Sequence, residues 1–345
     1  MGKGYLLGIM VSRRSRRRNI LKLYQQYNNL KLKLCSFTPN DIRWRRRKII
    51  ALCKIKGKLR KRKLALPKVI YNRCYIIPNQ TLGRLEKLIG KNKCFNYQNR
   101  LSKWEIYNIL SNTPLNNHLA KTYLYDEIQL FQNPNLLFLK PHYGFQGKGI
   151  YRLEKLENGV INISKDTLAP WFICRNNESF KQKLDELINE KNEYLIQEAI
   201  PLLLINNRYF DFRVLVQKNH LGVWEVSTIV SRVAHEGYYN TSITESVLTI
   251  EGVLKVMFPP MKIKQLYDLL KTLSIDAATA IDGKIKSMAE LSVDFGLDVN
   301  GALWIIEVNG NPQKNIYQNV PNLDNKALVF KRPLQYARFL ARLPK

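Results

Sequence analysis

The residues best placed to do chemistry lie between Glu290 and Asn309, where acidic side chains alternate with apolar ones. Asn300-Gly301 is the preferred dipeptide for a two-residue type I′ hairpin turn. Such a turn places Asp294 directly opposite Glu307, with Asn309 on the same face two residues further along. Like charges in opposed positions destabilise a hairpin unless a cation lies between them. Two carboxylates and an amide oxygen are hard ligands, so the spacing predicts a Mg²⁺ site.

The alternative for these carboxylates is an exposed strand face on which acidic side chains are simply hydrated. Hydration readily explains a single acid, whereas two acids in register with an amide favour the metal site. Asp298 falls on the same face nearer the turn, and there hydration is the expected state.

A second candidate is a strand that runs into a glycine-rich loop. Lys140 ends the strand, and Gly144, Gly147 and Gly149 follow it. Glycines allow successive backbone N–H groups to converge on one anion, and the lysine can neutralise an α- or β-phosphate. The spacing differs from the Walker, Rossmann and kinase glycine motifs, so an ordinary hairpin turn remains the alternative.

Three further strands carry polar residues suited to a nucleotide site. Tyr194–Ile200 is an apolar strand with a polar exit that could offer backbone groups to an adenine edge, or it is only a strand. Asp211 and Arg213 share one strand face, so either they form an intrastrand salt bridge or Arg213 faces a γ-phosphate. Arg232, on another apolar strand, either grips an anionic substrate or forms a structural pair.

The elements that would position these residues alternate between strands and helices. Three strands and intervening basic segments predict a small α/β unit that ends near Asn99. Ser102 is expected to cap a helix that begins at Lys103. Periodicity and turn signals predict the following further elements: strands at Leu136–Lys140, Phe210–Gln217, Gly222–Val233, Leu291–Val299 and Ala302–Val308, a hairpin at Gly149–Ile163, and helices at Glu178–Glu190, Lys262–Ala280 and Pro333–Leu343.

The net charge of +29 is concentrated in the first hundred residues, where 28 Lys and Arg residues face only Asp41 and Glu86. This imbalance predicts weak, salt-dependent attraction to an anionic polymer or another acidic partner. Trp44 lies among arginines, where it could stack on a base or belong to an amphipathic helix. No specific nucleic-acid-binding motif accompanies the basic runs, which are Arg13–Arg18, Arg43–Lys48 and Lys54–Lys63.

The remaining composition describes a globular protein, with 45% hydrophobic and 24% charged residues. Five cysteines without a CxxC pair give no metal or disulfide framework. No signal peptide and no apolar run of about 20 residues is evident, so we expect a cytoplasmic protein without a transmembrane segment.

Taken in order, these features resemble the ATP-grasp superfamily, in which two α+β lobes hold the nucleotide. The resemblance covers about Lys103–Asn311 and rests on the sequence of motifs more than on any single one. The segments Tyr5–Ser12 and Leu66–Arg73, with Lys103-Trp104-Glu105, look like the YheC/YheD branch, which is described as associated with the endospore coat of bacilli.

The resemblance implies an α+β protein with the ATP-grasp fold, preceded by a small basic α/β unit. The expected domains are a pre-ATP-grasp domain at 1–99 and an ATP-grasp domain at 100–345. Within the second, a flap lobe is expected at about 120–200 and a metal-binding lobe at 201–345.

It also implies ATP as the nucleotide, with Mg²⁺ or Mn²⁺ as the metal. Asp294, Glu307 and Asn309 are the implied metal ligands, while Arg213 and Arg232 are the implied catalytic residues. The implied nucleotide-binding residues comprise two lysines, the flap, the adenine hinge and one strand acid, namely Lys103, Lys140, Gly144, Gln146, Gly147, Lys148, Gly149, Gln197, Glu198, Ala199, Ile200 and Asp211.

The implied activity is a ligase that joins a carboxylate to an amine or thiol through an acyl-phosphate, with a carboxylate or peptide as the unidentified acceptor. A phosphotransferase with the same ATP site and a non-catalytic, anion-binding coat protein are the alternatives. The resemblance also links the ligase to spore coat formation and the protein to the spore coat. Residues 1–100 would contact an anionic polymer or a coat protein, and in the non-catalytic alternative they would dock on nucleic acid, an anionic polymer or a membrane. The chain departs from the branch at Leu119-Ala-Lys-Thr122, where Leu-Pro-x-Thr is usual, and after Asn240, where a Gly-Gly turn is usual.

Overall fold

The computed structural model describes residues 5–125, 135–144, 146–188 and 193–344, and three β-sheets organise that part of the chain. The first sheet has a parallel centre in the order β2-β1-β6-β7, extended by antiparallel strands. Its strands and helices are β1 (Leu6–Met10), α1 (Arg16–Gln26), β2 (Lys33–Phe37), β3 (Ile42–Arg43), β4 (Lys48–Ile55), β5 (Lys58–Ala65), β6 (Val69–Asn72), α2 (Asn79–Ile89) and β7 (Cys94–Phe95).

Strand β1 is buried on both faces of the sheet. Its successive side chains point to opposite faces, and each face packs in a core. Leu7 and Ile9 pack in the core that includes Leu21 of α1, whereas Met10 packs in the core that includes Leu82 of α2. The predicted amphipathic helix at Trp44 is wrong, since this residue opens a 3₁₀ turn, Trp44–Arg46, between β3 and β4.

The second sheet is antiparallel, in the order β12-β11-β10-β9-β13-β8. The glycine-rich loop joins β9 to β10, and the predicted hairpin is confirmed. The predicted helix end at Glu190 lies outside the described residues, and the described helix ends at Leu187. The elements are β8 (Thr122–Leu124), β9 (Leu136–Pro141), β10 (Tyr151–Lys155), β11 (Ile161–Lys165), β12 (Pro170–Cys174), α4 (Asn177–Leu187) and β13 (Tyr194–Glu198), preceded by α3 (Lys103–Ser111).

The third sheet is also antiparallel, in the order β17-β16-β15-β18-β19, with β14 paired to β15. One face packs on a long helix, where Val214 and Phe295 contact the core formed with Leu270 and Ala277. Its elements are β14 (Leu204–Ile205), β15 (Arg208–Lys218), β16 (Trp224–Ala234), β17 (Thr244–Leu248), α5 (Ile250–Leu254), α6 (Pro260–Asp282), β18 (Glu290–Leu297) and β19 (Leu303–Asn309), followed by α7 (Leu328–Arg342).

The C-terminal helix α7 begins at Leu328, five residues before the predicted start at Pro333. A proline inside a helix removes one N–H donor and leaves the carbonyl four residues earlier without its usual partner. Here the carbonyl of Val329 accepts a hydrogen bond of 3.2 Å from Gln217 Nε2. This side chain on β15 satisfies the exposed carbonyl, so the helix continues through the proline.

The first and third sheets share one apolar core. Leu215 and Val230 of the third sheet pack with Tyr24, Tyr71 and Phe330. Tyr24 belongs to α1 and Phe330 to α7, so these two helices contribute to the core through which the sheets contact each other. Across the described ranges, no helix combines the length and apolar character that crossing a bilayer requires.

Glu290 is the polar centre of this junction and is 1% exposed. Burial alone would raise the pKa of this carboxyl, but Lys314 and Arg73 beside it lower that pKa to about 2. Its oxygens accept hydrogen bonds from four side chains, namely Tyr71 (2.5 Å), Arg73 (2.8 Å), Asn96 (2.9 Å) and Gln217 (2.9 Å). Lys314, in the loop after β19, forms an ion pair with it at 2.5 Å.

Candidate functional site

The hairpin of β18 and β19 places Asp294 opposite Glu307, as the sequence predicts. The predicted two-residue type I′ turn is nevertheless wrong. Asp298 N–H bonds to Ala302 C=O at 2.9 Å, so the loop has three residues, the last of which is Gly301 with φ +81°. This loop shifts the register by one residue, and a β-bulge after Asp294 shifts it back.

Asp298 is also not hydrated, contrary to the expectation from its position near the turn. It is 4% exposed, and its Oδ1 accepts hydrogen bonds from the N–H groups of Asn300 (2.9 Å) and Ala302 (2.8 Å). Its Oδ2 accepts one from Trp304 Nε1 at 2.9 Å. The carboxylate therefore stabilises the turn and takes no part in the candidate metal site.

Asp294 is held by two arginines from neighbouring strands. Arg213 Nε and Nη2 donate to its two oxygens at 2.8 and 2.6 Å, and Arg232 Nη2 donates to Oδ2 at 3.0 Å. Burial would raise the pKa of this carboxyl, but the two guanidinium groups outweigh burial and lower it. Asp294 is therefore ionised.

The intrastrand pair of Asp211 and Arg213 does not form. Asp211 instead pairs across the strands with Arg232, whose Nε and Nη2 donate to its two oxygens, the first at 2.8 Å. Thr241 Oγ1 donates a further hydrogen bond of 2.5 Å to Asp211 Oδ2. Arg232 thus bridges Asp211 and Asp294, and the two arginines are fixed by the two acids.

Lys103 enters the site from the first turn of α3, which Ser102 caps as predicted by accepting a hydrogen bond from Glu105 N–H. Its Nζ lies 2.7 Å from Glu307 Oε1, and Asn309 Nδ2 donates to Glu307 Oε2 at 3.2 Å. Burial opposes ionisation of Glu307, but Lys103 lowers the pKa of this carboxyl below its usual value.

Lys140, near the end of β9, lies close to Lys103 and Glu307. Its Nζ donates a hydrogen bond of 2.5 Å to Gln197 Oε1, while Gln197 Nε2 donates to Thr122 Oγ1 at 2.9 Å. Burial and the neighbouring charge of Lys103 lower the pKa of Lys140 to about 8, although Glu307 acts in the opposite direction. The sequence did not indicate that Gln197 would position this lysine.

The glycine loop lies beside these lysines, with residue 145 outside the described part of the chain. Gly147 and Gly149 have φ of +71° and +76°, which favours glycine. A Cβ on Gly147 would lie 2.1 Å from Asn240 Nδ2, and one on Gly144 would lie 3.8 Å from Lys103 Nζ. Gln146 and Lys148, also predicted to bind phosphate, are exposed on this loop.

The predicted adenine hinge follows β13. The N–H groups of Glu198 and Ala199 already donate to Lys121 C=O (3.0 Å) and Leu136 C=O (3.3 Å). Glu198 also accepts a 3.4 Å hydrogen bond from Tyr123, and the carbonyl of Ile200 accepts one from Leu202. Recognition of adenine by the first two amides would therefore require these backbone bonds to open.

Sequence reasoning gave no role to the segment after Tyr238, although it marked the departure beyond Asn240. Tyr239 Oη accepts a hydrogen bond from Asp166 N–H at 3.0 Å and lies 3.2 Å from the carbonyl of Ile150. Asn240 lies against Gly147, and Thr241 contacts Asp211. This segment connects the glycine loop to the arginine pairs.

The donor set fits a hard divalent cation. A carboxylate offers about four lone-pair sites, of which Asp294 uses one on Oδ1 and two on Oδ2, so Oδ1 retains one. Both carboxylates are ionised, and Asn311 Oδ1, two residues beyond Asn309, is buried without a hydrogen-bond partner among the described residues. Among those residues, no group of three or more His, Cys, Asp or Glu side chains is suited to a metal ion, and the predicted set contributes two carboxylates with the amide of Asn309.

Comparisons with known proteins show what the chain is similar to. The chain is 25% identical to "Endospore coat-associated protein YheD" of Bacillus subtilis (strain 168) over 327 residues, which cover 88% of this chain and 70% of that protein. The fold is similar to D-alanyl-alanine synthetase A from Vibrio cholerae (TM-score 0.55, 13% identity, 99% and 97% of the two chains). It is also similar to N5-carboxyaminoimidazole synthetase from Staphylococcus aureus complexed with ADP (TM-score 0.57, 12% identity, 100% and 80%). Residues 91–340 match the family described as "YheC/D like ATP-grasp", and the chain is therefore an α+β protein that belongs to this ATP-grasp family.

Proposed function

We propose that the chain is an ATP- and Mg²⁺-dependent ligase that joins a carboxylate to an amine or thiol through an acyl-phosphate. The observation that supports this most directly is the convergence of four cationic side chains on the Asp294–Glu307 pair. Lys103, Lys140, Arg213 and Arg232 outnumber the three acids Asp211, Asp294 and Glu307. The excess of positive charge suits a polyanionic nucleotide.

In this proposal the lysines and the glycine loop bind the phosphates. Lys103 and Lys140 come from two different elements and approach the same carboxylate, so a phosphate chain placed between them is neutralised from two sides. The left-handed backbone at Gly147 and Gly149 allows N–H groups of the loop to face one anion.

Asp294, Glu307 and Asn309 would hold the metal ion. When bound, Mg²⁺ supplies charge neutralisation and orientation of phosphate oxygens. Before binding, Lys103 and the arginines balance the two carboxylates, and this keeps the acids ionised and aligned.

The arginines would stabilise the phosphoryl group during transfer. Asp294 and Asp211 use the Nε and Nη2 donors of Arg213 and Arg232. Among the described residues, neither Nη1 group has a hydrogen-bond partner, so each remains available to an anion. Donors that are already fixed in place stabilise developing charge without reorganisation.

No protein nucleophile is needed for this chemistry. An oxygen of the substrate carboxylate attacks the γ-phosphorus and ADP departs, which gives an acyl-phosphate. An amine or thiol then attacks the carbonyl carbon, loses its proton, and displaces inorganic phosphate. Binding the two substrates in line is the main contribution expected of the protein.

The test uses hydroxylamine as a general nucleophile with candidate carboxylates and peptides, each labelled with ¹⁸O in the carboxyl group. A ligase yields ADP, a hydroxamate, and phosphate that carries one ¹⁸O atom. A phosphotransferase yields ADP and a stable phosphorylated product without labelled phosphate. Binding of Mg-ATP without any release of ADP would favour the non-catalytic alternative.

The name of the Bacillus subtilis relative supports a link to the spore coat. We extend the proposal to a cytoplasmic protein that acts during coat formation. A fluorescent fusion should be diffuse in growing cells and gather around the forming spore, whereas a fusion that stays diffuse throughout sporulation would contradict this location.

A further inference from the structure

The first sheet carries a basic groove whose lining comes from several separate elements. Its walls are formed by β3, by the 3₁₀ turn that follows it, by β5 and by α2, and its volume is about 810 Å³. Ligand sites typically measure about 300–1,000 Å³, so the groove is large enough for a ligand. Its seven cationic side chains are those of Arg43, Arg45, Arg46, Lys61, Arg62, Lys63 and Arg84.

The positive potential of this groove is not balanced locally. Residues 5–99 contain only Asp41 and Glu86 as acids, which are 0% and 7% exposed. Asp41 is bound by Arg14 and Arg17, at 2.9 and 3.1 Å, and Glu86 is bound by Lys286 at 2.7 Å. Within the described residues, none of the seven cations of the groove forms an ion pair.

Protection of an exposed sheet edge explains only part of this pattern. Lysines on an edge strand prevent strand-to-strand aggregation, and β5 is such an edge. That function does not require Arg45 and Arg46 on a separate turn, nor Arg84 on α2, to line the same groove. Convergence of charges from β3, the 3₁₀ turn, β5 and α2 indicates a binding surface for an anion.

The floor of the groove indicates what kind of anion fits. Trp44 lines the groove and is half-buried, since its indole packs against the core that includes Ile42. The Arg84 guanidinium lies over the ring, 4.3 Å from its centre. Five of the seven cations are arginines, whose planar groups bind phosphate bidentately and also stack on bases. A polyanion without bases would contact the charges but would not stack on the planar Arg84–Trp44 pair.

We propose that this groove binds single-stranded nucleic acid, with the phosphodiester backbone on the arginines and a base stacked on the Arg84–Trp44 pair. A basic groove combined with an aromatic platform is how many proteins bind single strands independently of sequence. This inference does not depend on the ligase reaction, because it uses only residues of the first sheet and α2.

The test measures fluorescence anisotropy of the full chain with an oligothymidylate and an oligouridylate of roughly a dozen nucleotides. Inorganic polyphosphate of equal charge serves as the competitor without bases. Trp44→Leu should weaken oligonucleotide binding about 10-fold or more and leave polyphosphate binding unchanged. Trp44→Phe retains an aromatic ring and should retain most of the affinity, which separates loss of the platform from misfolding.

A charge-matched pair of variants tests the location. Arg45→Gln with Arg46→Gln and Arg62→Gln should reduce the slope of log affinity against log salt by about 2. The control is a second triple variant that removes the same charge outside the groove, namely Arg13→Gln with Arg18→Gln and Lys22→Gln. These residues are exposed on α1 or just before it, so the affinity should change little. Equal effects of the two triple variants, or equal loss of polyphosphate and oligonucleotide binding in Trp44→Leu, would overturn the proposal.

Discussion

Arg213 and Asp294 face each other directly on neighbouring antiparallel strands, and the guanidinium donates a hydrogen bond to each oxygen of the carboxylate. The pair is buried, with side chains 9% and 3% exposed. One of its members is the proposed phosphoryl-stabilising residue and the other the proposed metal ligand. In the proposed function, the same contact contributes to stability and positions both groups for catalysis.

Arg213→Ala should lower turnover by a factor on the order of 10³, because a fixed donor to the transferring phosphoryl group is lost. It should also destabilise the fold by about 3–5 kcal/mol, since a buried carboxylate loses a partner. Mg-ATP affinity should change less than turnover.

The double variant Arg213→Met with Asp294→Asn separates the two effects. It should recover much of the free energy of unfolding, because the buried charge is removed with its partner, while turnover remains low. Denaturant unfolding and ADP release measure the two quantities. Recovery of turnover in the double variant would show that Arg213 has only a structural function.

Glu307→Gln should remove most of the dependence of nucleotide affinity on Mg²⁺, because an ionised oxygen ligand is lost. Calorimetry of ATP binding with and without the metal measures this difference. Glu154→Gln is a suitable control, since this acid pairs with Arg152 in the second sheet. A Glu307→Gln protein with unchanged Mg²⁺ dependence would contradict the proposed ligand set.

Lys140 should make nucleotide binding pH-dependent. Its pKa of about 8 in the free protein means that it is increasingly neutral above pH 8, and phosphate binding favours the charged form. Nucleotide binding should therefore be accompanied by proton uptake above pH 8 and by little proton uptake below pH 7. Calorimetry in buffers of different ionisation enthalpy detects this proton uptake. The uptake should be absent in Lys140→Gln and unchanged in the control Lys121→Gln, which alters an exposed lysine.

The same pKa has a consequence for folding. Lys140 has a lower pKa in the folded state than its usual 10.5, so between about pH 8 and 10.5 the unfolded state binds more protons. Stability should therefore rise with pH across this window. Lys140→Gln should flatten the rise, and an unchanged slope would contradict the assignment.

Gly147→Ala should destabilise the protein and impair nucleotide binding, because the new Cβ is forced against Asn240 in a left-handed backbone. Gly159→Ala is a matched control, since Gly159 has a φ of +81° and no atom within 4 Å of the new Cβ. The control should lose about 1 kcal/mol from backbone strain alone. Thermal unfolding of both variants measures the additional cost, and equal losses would exclude a role for the Asn240 contact.

Glu290→Gln should flatten the acid limb of the stability curve. The pKa of Glu290 is lowered from 4.5 to about 2, so its contribution is present above about pH 4.5 and is lost as pH falls through about 2. The shift corresponds to about 3 kcal/mol. Urea unfolding between these pH values tests the expectation, and an acid limb as steep as that of the unmodified protein would contradict it.

The sequence was most informative where short-range patterns decide the structure. Ser102 predicted the cap of α3, and alternation predicted the strands that carry Asp294 and Glu307. The predicted turn type was wrong because glycine suits both a two-residue turn and a three-residue loop followed by a bulge. The facing pair was nevertheless correct, since the bulge after Asp294 compensates for the longer loop.

Contacts between distant strands could not be predicted in the same way. Asp211 and Arg213 are two residues apart, yet each finds its partner across the sheet, 21 and 81 residues away. Glu290 has five partners that come from four separate segments. Such pairings depend on strand order and register, which local spacing in a single sequence does not determine.

The partners of Glu290 also determine how the molecule can be divided. Tyr71, Arg73 and Asn96 belong to the basic N-terminal third, whereas Gln217 and Lys314 belong to the remainder. A fragment that starts after residue 100 would leave this carboxylate without most of its donors, which is strongly destabilising. We therefore expect the basic third and the remainder of the chain to unfold together in a single cooperative transition.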